Sequence, residues 1–331
     1  MKTIGIIGSG SWGTALGILL SGNATCVRLW GREPEVAAAV NQRRENPRYL
    51  PGLPLPPNLQ ATTTLDDLLD CDAILLVVPS RALRDVCAQL AERPFSTAVP
   101  WVSCIKGIEN GTGLRMSQIL SEALPGHPVA VLSGPNHAEE IARRLPAAAV
   151  IGCEDPALGR RLQELVTLPW FRAYTSEDLV GIEWGAAVKN VFAIASGLSA
   201  GLELGDNARA ALVTRGLAEM IRLGTAMGGR PETFQGLSGV GDLVVTCYSH
   251  HSRNNRVGLA LGRGQSLPDV LAGLTMVAEG VPNTESIFHA ARRVGVRTPI
   301  IDTVYAVLYQ NLDPREGLRA LFARDPRPEA E

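Results

Sequence analysis

A glycine motif near the start of the chain constrains the fold more than any other feature. The apolar segment 3–7 leads into Gly8-Ser9-Gly10-Ser11-Trp12-Gly13, and an apolar helical stretch follows. In a G-x-G-x-x-G turn, the first glycine permits the tight turn, the second lets a pyrophosphate approach, and the third brings the helix against the strand. A second strand-like segment, 26–30, completes a β-α-β unit of about thirty residues. The unit predicts an α/β fold with a Rossmann-type doubly wound sheet.

The residue after the second strand bears on the choice of cofactor. An acidic residue at this place would bind the ribose hydroxyls of NAD, but this chain has Arg32. A guanidinium suits a 2′-phosphate, so the sequence predicts the use of NADP(H). Glu33 is adjacent and can serve a ribose hydroxyl, which leaves NAD(H) open as a second cofactor. The alternative interpretation of Arg32 is a solvated surface arginine.

Length, charge and cysteine usage narrow the class of protein. The 331 residues are enough for two domains, and 31 Lys and Arg against 33 Asp and Glu give a formal net charge of -2. This balance argues against a nucleic-acid surface or a polybasic membrane patch. The six cysteines show no C-x-x-C spacing, which favours reduced core thiols. We expect a cytoplasmic protein that is not integral to a membrane, because Met1-Lys2 leads directly into the first strand and no apolar run approaches ~20 residues.

The hydrophobic pattern divides the chain into two parts. Segments with the apolar character of buried strands continue the sheet, at 73–78, 98–103, 129–132, 147–152 and 170–174. From Leu179 onward the pattern becomes helical. We therefore predict a dinucleotide-binding Rossmann domain over 1–178 and an all-helical substrate-binding and catalytic domain over 179–331.

Two loops follow strands of the predicted sheet at the edge where such sheets bind ligands. Lys106 follows the segment 98–103 and is a candidate to meet a substrate phosphate or carbonyl, although an exposed loop lysine is the plain alternative. Gly134, after the segment 129–132, permits close backbone approach. His137 lies in the same loop, but spacing provides it with no carboxylate partner, so we interpret it as a surface or packing residue.

Lys189 is the strongest catalytic candidate in the helical part. It lies in a stretch of small and apolar residues, where burial of an unpaired ammonium would cost several kcal/mol. A desolvated lysine has a lowered pKa, which suits proton transfer at a reacting carbonyl. The alternative is that its ammonium reaches solvent along the helix. Asp242, in a glycine-rich run, can bind a substrate hydroxyl, position Lys189 or cap a helix.

A polar cluster farther along the chain has the composition of a phosphate site. Ser252-Arg253-Asn254 opens a helix and combines a guanidinium fork with hydroxyl, amide and backbone donors. The preceding His250-His251 lacks partners at metal-ligand spacing, so we predict a surface pair and no metal. Tyr49 lies in a proline-rich loop, where it can cover the adenine end of a cofactor or simply pack the loop.

In order and spacing, these motifs together resemble the bacterial-type NAD(P)-dependent glycerol-3-phosphate dehydrogenases. Besides the glycine turn, the resemblance rests on Lys106-Gly107-Ile108-Glu109, Leu132-Ser133-Gly134-Pro135, Val188-Lys189-Asn190, Thr214-Arg215-Gly216-Leu217, Gly239-Val240-Gly241-Asp242-Leu243, Ser252-Arg253-Asn254 and Ala278-Glu279-Gly280. It covers nearly the whole chain. It implies an oxidoreductase that reversibly reduces dihydroxyacetone phosphate to sn-glycerol 3-phosphate for phospholipid synthesis, needs no metal, and leaves a homodimer open.

The resemblance also implies roles for individual residues. Lys189 matches the family's proton donor and acceptor. The substrate positions of the family are matched by Lys106, Gly134, Asn136, Lys189, Asp242, Ser252, Arg253 and Asn254. Its cofactor positions are matched by Gly8, Gly10, Ser11, Trp12, Gly13, Arg32, Tyr49, Lys106, Ala138, Arg253, Val277 and Glu279.

The chain departs from the family pattern at two places. Ile105 stands where the family usually has Thr, and Asn136-His137 stands where it usually has Ser or Thr followed by Phe.

Two other functions compete with the leading interpretation. A dehydrogenase of a 3-hydroxy acid or phosphogluconate would also place a Lys-Asn pair in a helical domain, but the polar cluster around Arg253 favours a small phosphorylated substrate. A dinucleotide sensor without turnover would need neither Lys189 nor Asp242.

Overall fold

The computed structural model describes residues 1–274, 276–324 and 328. Strands and helices alternate in its first part: β1 Thr3–Ile7, α1 Ser11–Leu20, β2 Cys26–Trp30, α2 Pro34–Ala38, β3 Leu59–Thr62, β4 Ala73–Leu76, α3 Leu83–Ala91, β5 Trp101–Ser103, α4 Met116–Ala123, β6 Val129–Ser133, α5 Ala138–Ala142, β7 Ala147–Cys153, α6 Pro156–Val166 and β8 Phe171–Ser176. The second part is helical: α7 Leu179–Gly201, α8 Gly205–Ala226, α9 Pro231–Phe234, α10 Asp242–Tyr248, α11 Arg253–Gly262, α12 Leu267–Ala272, α13 Gly280–Arg293, α14 Pro299–Tyr309 and α15 Pro314–Phe322.

The eight strands form one sheet in the order β3-β2-β1-β4-β5-β6-β7-β8. All neighbours pair in parallel except β6 and β7, which are antiparallel. The change of order between β1 and β4 is the switch point at which doubly wound sheets bind ligands. The fold class predicted from the sequence is therefore confirmed, and the carboxyl ends of β1 to β6 lie along one edge.

The sheet differs from the sequence prediction in one added strand and in several strand ends, of which the start of β5 moves most. Strand β3 was not predicted, because Leu59-Gln60-Ala61-Thr62 has only one fully buried apolar residue and lies at the edge of the sheet. The segment predicted as a strand over 98–103 pairs only from Trp101 to Ser103. Proline at position 100 has no N–H to donate to a neighbouring strand, which explains the late start.

Helix α7 is the centre of the helical part. Asp178 caps its first turn by accepting the N–H of Gly181 at 2.9 Å, and nearly every residue after Val180 is buried. A helix that is apolar on all sides must be surrounded by protein, and α7 packs against α8, α10, α11 and α13. Contrary to our expectation from the sequence, Leu179–Gly201 is long and apolar enough to span a membrane, but 94% of its most apolar window is buried inside the protein.

Buried polar contacts join the two parts of the chain. Glu183 of α7 accepts the N–H of Ser117 at 2.8 Å and pairs with Arg115 at 2.6 Å. Glu279, just before α13, accepts the N–H of Ser80 at 3.1 Å. The start of α7 coincides with the predicted boundary, but independence of the segments 1–178 and 179–331 stays a prediction. All six cysteines are free thiols, and five of them are buried.

Candidate active site

The glycine turn has the geometry that a pyrophosphate site requires. Gly8 has φ +124°, a conformation that favours glycine, and its N–H donates to Trp30 O at 2.9 Å. A Cβ atom at Gly13 would overlap the carbonyl oxygen of Gly8, whereas a Cβ at Gly10 would meet no atom within 4 Å. Gly13 therefore serves the contact between helix and strand. The open space over Gly10 and the first amides of α1 fit a dinucleotide pyrophosphate.

Arg32, Glu33 and Tyr49 lie together beyond the end of β2. The side chain of Arg32 is exposed, and the Tyr49 hydroxyl donates to Glu33 Oε1 at 2.8 Å. Burial and the Glu33 carboxylate raise the pKa of Tyr49. The exposed guanidinium is free to meet a 2′-phosphate, and the Glu33–Tyr49 pair holds the proline-rich loop close to that place. Trp12, on the first turn of α1, is half-buried and packs against the core of the sheet part.

Lys189, Asp242 and Lys106 form a buried charge cluster. Lys189 Nζ donates to Asp242 Oδ1 at 2.9 Å and to Thr246 Oγ1 at 2.7 Å. Lys106 Nζ donates to Asp242 Oδ2 at 2.7 Å and to the carbonyl oxygen of Gly134 at 2.8 Å. One carboxylate thus holds two ammonium groups, one from the helical part and one from the loop after β5. Neither lysine adopts the alternative placement at the surface.

The charge cluster sets the protonation states at the site. The pKa of Lys189 is lowered to about 8, chiefly by burial; the Asp242 carboxylate opposes this shift, and the ammonium of Lys106 adds to it. For Asp242, burial alone would raise the pKa, but the two ammonium groups outweigh it and the net shift is downward. A lysine with a pKa close to neutral pH can exchange a proton with a substrate oxygen in either direction.

Three asparagines join the cluster to the surrounding helices. The side-chain amides of Asn190 and Asn283 donate to Lys106 O at 3.4 and 3.0 Å. Asn254 donates to Asn190 Oδ1 at 2.8 Å and accepts the N–H of Gly280 at 2.9 Å. Asn190, Asn283 and Thr246 were not among the predicted site residues. Only the adjacency of Asn190 to Lys189 hinted at this network, because the other partners come from distant helices.

The predicted phosphate cluster lies at the start of α11. Ser252 caps that helix by accepting the N–H of Asn255 at 3.1 Å. Arg253 donates through Nη1 to the carbonyl oxygen of Val277 at 2.7 Å, and burial lowers its pKa, with partial compensation by Glu279 and Glu139. The Val277 contact orients the guanidinium. Arg253 is also close to Glu279, to which the family resemblance gives a cofactor role.

The loop after β6 supplies two of the predicted substrate positions. Gly134 has φ +137°, and a Cβ there would lie 3.0 Å from Ala149 Cα, so a side chain is excluded. Both polar side-chain atoms of Asn136 are buried without a hydrogen-bond partner among the described residues. Ala138, the first residue of α5, is buried in the apolar core of the sheet part. The departure at Ile105 has a structural reason, since its side chain packs in the apolar cluster beneath β5.

Two family models together match most of the chain. The model described as "NAD-dependent glycerol-3-phosphate dehydrogenase N-terminus" matches residues 3–159. The model described as "NAD-dependent glycerol-3-phosphate dehydrogenase C-terminus" matches residues 178–319. The chain is 48% identical to glycerol-3-phosphate dehydrogenase [NAD(P)+] of Caulobacter vibrioides, with 99% of each chain covered. The Thermobifida fusca enzyme of the same name is 47% identical, again with 99% of each chain covered. This chain belongs to the NAD-dependent glycerol-3-phosphate dehydrogenase family.

Solved structures of glycerol-3-phosphate dehydrogenases share the fold. The Coxiella burnetii structure has a TM-score of 0.94 and 38% identity, covering 98% of this chain and 99% of that one. The Saccharomyces cerevisiae structure has a TM-score of 0.84 and 30% identity at the same coverage. The family resemblance and the oxidoreductase class predicted from the sequence are therefore confirmed.

The structure brings four of the predicted substrate residues into contact. Lys189, Lys106 and Asp242 are in direct contact, and Gly134 is in contact with Lys106. Among the predicted cofactor residues, the Ser11 hydroxyl lies 3.5 Å from Met276 Sδ, close in sequence to Val277 and Glu279. The roles assigned to these residues stay predictions. No group of three or more His, Cys, Asp or Glu side chains suited to a metal ion occurs in the described ranges.

Proposed function

We propose that this protein catalyses the reversible reduction of dihydroxyacetone phosphate to sn-glycerol 3-phosphate, with NADP(H) as the main cofactor and NAD(H) as a second. The observation that supports this most directly is the buried cluster of Lys189, Asp242 and Lys106. Its members come from the loop after β5, at the carboxyl edge of the sheet, and from α7 and α10. The cluster supports a proton donor held next to residues that we assign to the substrate.

Lys189 is the group that moves the proton. When bound, the nicotinamide cofactor supplies the hydride for the carbonyl carbon of the substrate. The Lys189 ammonium donates its proton to the carbonyl oxygen, and the neutral amine takes up another from solvent because its pKa is about 8. Asp242 and Thr246 hold Nζ in place through hydrogen bonds of 2.9 and 2.7 Å. In the oxidation direction the neutral amine accepts the proton from the alcohol.

Arg253 and Ser252 are proposed to bind the substrate phosphate, with Lys106 and Asn136 at its carbon chain. The guanidinium is held by Val277 O through a single nitrogen, so its remaining N–H groups can bind phosphate oxygens. Asn254 is different, since its amide already bonds Asn190 and Gly280. We therefore assign to Asn254 the alignment of the Lys189 helix with α11, and to its backbone any contact with phosphate.

The proposed cofactor site extends from Arg32 to Glu279. Arg32 would bind the 2′-phosphate, and Glu33 with Tyr49 would border the adenosine. Glu279 is held by the Ser80 hydroxyl at 2.6 Å, and burial raises its pKa. The remaining positions of this proposal are Gly8, Gly10, Ser11, Trp12, Gly13, Lys106, Ala138, Arg253 and Val277.

The proposal extends to the place of the enzyme in the cell. A product that carries a glycerol backbone and a phosphate is the starting compound for glycerophospholipids, and we place its formation in the cytoplasm. The homodimer that the family resemblance leaves open is part of this proposal. Sedimentation equilibrium would distinguish a dimer from a monomer of 35.2 kDa.

The decisive experiment is NADPH oxidation followed at 340 nm with dihydroxyacetone phosphate, unphosphorylated dihydroxyacetone and a panel of 2-keto acids. We expect turnover with dihydroxyacetone phosphate alone. The matched control is Lys189→Met, which should lose that turnover. Faster reduction of a 2-keto acid than of dihydroxyacetone phosphate would refute the proposal.

A further inference from the structure

His137 borders both ends of the proposed substrate site. It directly precedes α5, and its side chain is half-buried. The charges of Lys189 and Lys106 both act on its imidazole. The ring of His251 lies 5.8 Å away, centroid to centroid, and His251 is followed directly by Ser252. The imidazole is thus influenced by the proton donor and lies beside the segment that leads into the residues assigned to the phosphate, and our interpretation of it as a surface or packing residue does not account for this position.

The edge nitrogen of this ring is unsatisfied. His137 Nε2 is buried and has no hydrogen-bond partner within 1–274 or 276–324. The preceding residue, Asn136, has two more buried polar atoms in the same condition. A buried polar atom without a partner costs free energy, so such atoms are normally satisfied by protein, water or ligand. Three of them on two adjacent residues mark a place where a polar molecule binds.

The charges around the imidazole indicate what kind of molecule binds. Burial lowers the pKa of His137, and the ammonium groups of Lys189 on α7 and Lys106 after β5 lower it further. Asp242 on α10 and Glu140 on α5 partly oppose them, and His251 faces the ring from the segment before α11. A dianion would offset the ammonium groups and accept a hydrogen bond from the ring, which favours phosphate over a neutral ligand.

We propose that His137 is a further substrate-binding residue, whose Nε2–H donates to an oxygen of the substrate phosphomonoester while Arg253 binds other oxygens of the same group. This inference rests on the proposed function, because it assumes a phosphorylated substrate in the cleft.

Kinetics of two variants test the contact. His137→Phe keeps a planar ring in the same space but removes both nitrogens, so KM for dihydroxyacetone phosphate should rise about tenfold, as for one lost hydrogen bond to a charged group. The inhibition constant of inorganic phosphate should rise with it, and kcat should change much less. His137→Gln should recover part of the loss through its amide N–H. The control is His250→Gln, since His250 is exposed and adjacent to His251.

A measurement without turnover separates this inference from the proposed function. In the unliganded enzyme the His137 ring should stay neutral at pH 7, and inorganic phosphate should shift its Hε1 NMR signal and raise its pKa. The signal is assigned by its loss in His137→Phe, or in His137→Gln if the first variant does not fold. A phosphate-induced shift in an enzyme that does not reduce dihydroxyacetone phosphate would support the contact while refuting the proposed function. Normal turnover with no shift, and an unchanged KM in the folded variant, would show that Nε2 meets only buried water.

Discussion

At the scale of single residues, the chemistry depends on how one carboxylate is shared. Asp242 accepts from Lys189 and Lys106 at 2.9 and 2.7 Å, so it compensates the buried ammonium of Lys189 and the partly buried ammonium of Lys106 together. Removing one partner of a buried ion pair leaves an uncompensated charge, which is more costly than removing both. The positions of the two lysines are therefore coupled, and a change at Asp242 affects both.

Lys189 should control the pH dependence of turnover. Its pKa is lowered to about 8, and reduction needs the ammonium, so kcat for reduction should fall as the pH rises through about 8. Oxidation needs the neutral amine and should rise over the same range. Asp242 raises the pKa of Lys189, so Asp242→Asn should move both profiles to lower pH. Steady-state rates measured from pH 6 to 10 in both directions test this.

The variant Lys189→Met separates proton transfer from binding. It should still bind NADPH but lose turnover by ~10² or more, the usual contribution of a positioned acid or base. Cofactor binding is measured by NADPH fluorescence. If the variant turns over nearly as fast as the unmodified enzyme, another group must donate the proton, and Lys106 is the next candidate.

Arg32 is expected to decide between the two cofactors. Arg32→Asp removes the partner of the 2′-phosphate and supplies an acceptor for a ribose hydroxyl, so the preference should change from NADPH to NADH. The measurement is the ratio of kcat/KM for the two cofactors. Arg160→Asp makes the same change of charge at an exposed position of α6 and serves as the control. An unchanged ratio in Arg32→Asp would remove Arg32 from the cofactor site.

At the scale of elements, the turn between β1 and α1 uses its glycines for different purposes. The third glycine allows contact between helix and strand, and the second leaves space for a ligand. The distinction cannot be read from the motif itself, in which all three residues are identical. The distinction appears when the space available to a Cβ atom at Gly10 is compared with the space available at Gly13.

Two alanine variants make this distinction testable. Gly13→Ala would overlap the Gly8 carbonyl and force the helix away from the strand, which should lower the free energy of unfolding by roughly 1–3 kcal/mol. Gly10→Ala has open space and φ -66°, which alanine tolerates, so it should fold normally but lose NADPH affinity. Urea unfolding and NADPH titration of both variants measure the two effects. Equal loss of stability in the two would contradict the assignment.

At the scale of the whole molecule, the site exists only where the two parts of the chain meet. Lys106 and Gly134 belong to the sheet part, and Lys189, Asp242 and Arg253 to the helical part. The contact is maintained by buried polar links such as Glu183 with Arg115 and Ser117. Their burial means that separating the two parts would expose a carboxylate and its partners together.

Glu183→Ala should weaken this junction. Arg115 pairs with Glu183 at 2.6 Å, and the variant leaves its guanidinium without a carboxylate. Because the pair is buried, the free energy of unfolding should fall by roughly 3–5 kcal/mol. Glu183→Gln should lose less, because its amide oxygen still accepts from Ser117. Urea unfolding measures the change, with Glu232→Ala at an exposed position as the control. A midpoint unchanged from that of the unmodified protein would show that the junction is held by apolar packing alone.

The sequence alone determined the fold class, the cofactor turn and the identity of most site candidates. The reason is that these features are local: a glycine spacing, an apolar run, or a lysine within an apolar helix each carry their meaning in a few neighbouring residues. Arg32 could be named because it follows β2 at a set distance. Lys189 could be named because an ammonium within α7 requires a partner.

The tertiary structure alone decided which groups meet. Asp242 lies 53 positions from Lys189 and 136 from Lys106, and nothing in the spacing indicates that its two oxygens serve both. Thr246, Asn190 and Asn283 entered the site only through helix packing, and strand β3 formed because an edge needs few apolar residues. The tertiary structure also decided that His137 Nε2 is buried without a hydrogen-bond partner among the described residues. Whether a buried nitrogen has a partner depends on which distant residues the fold places next to it.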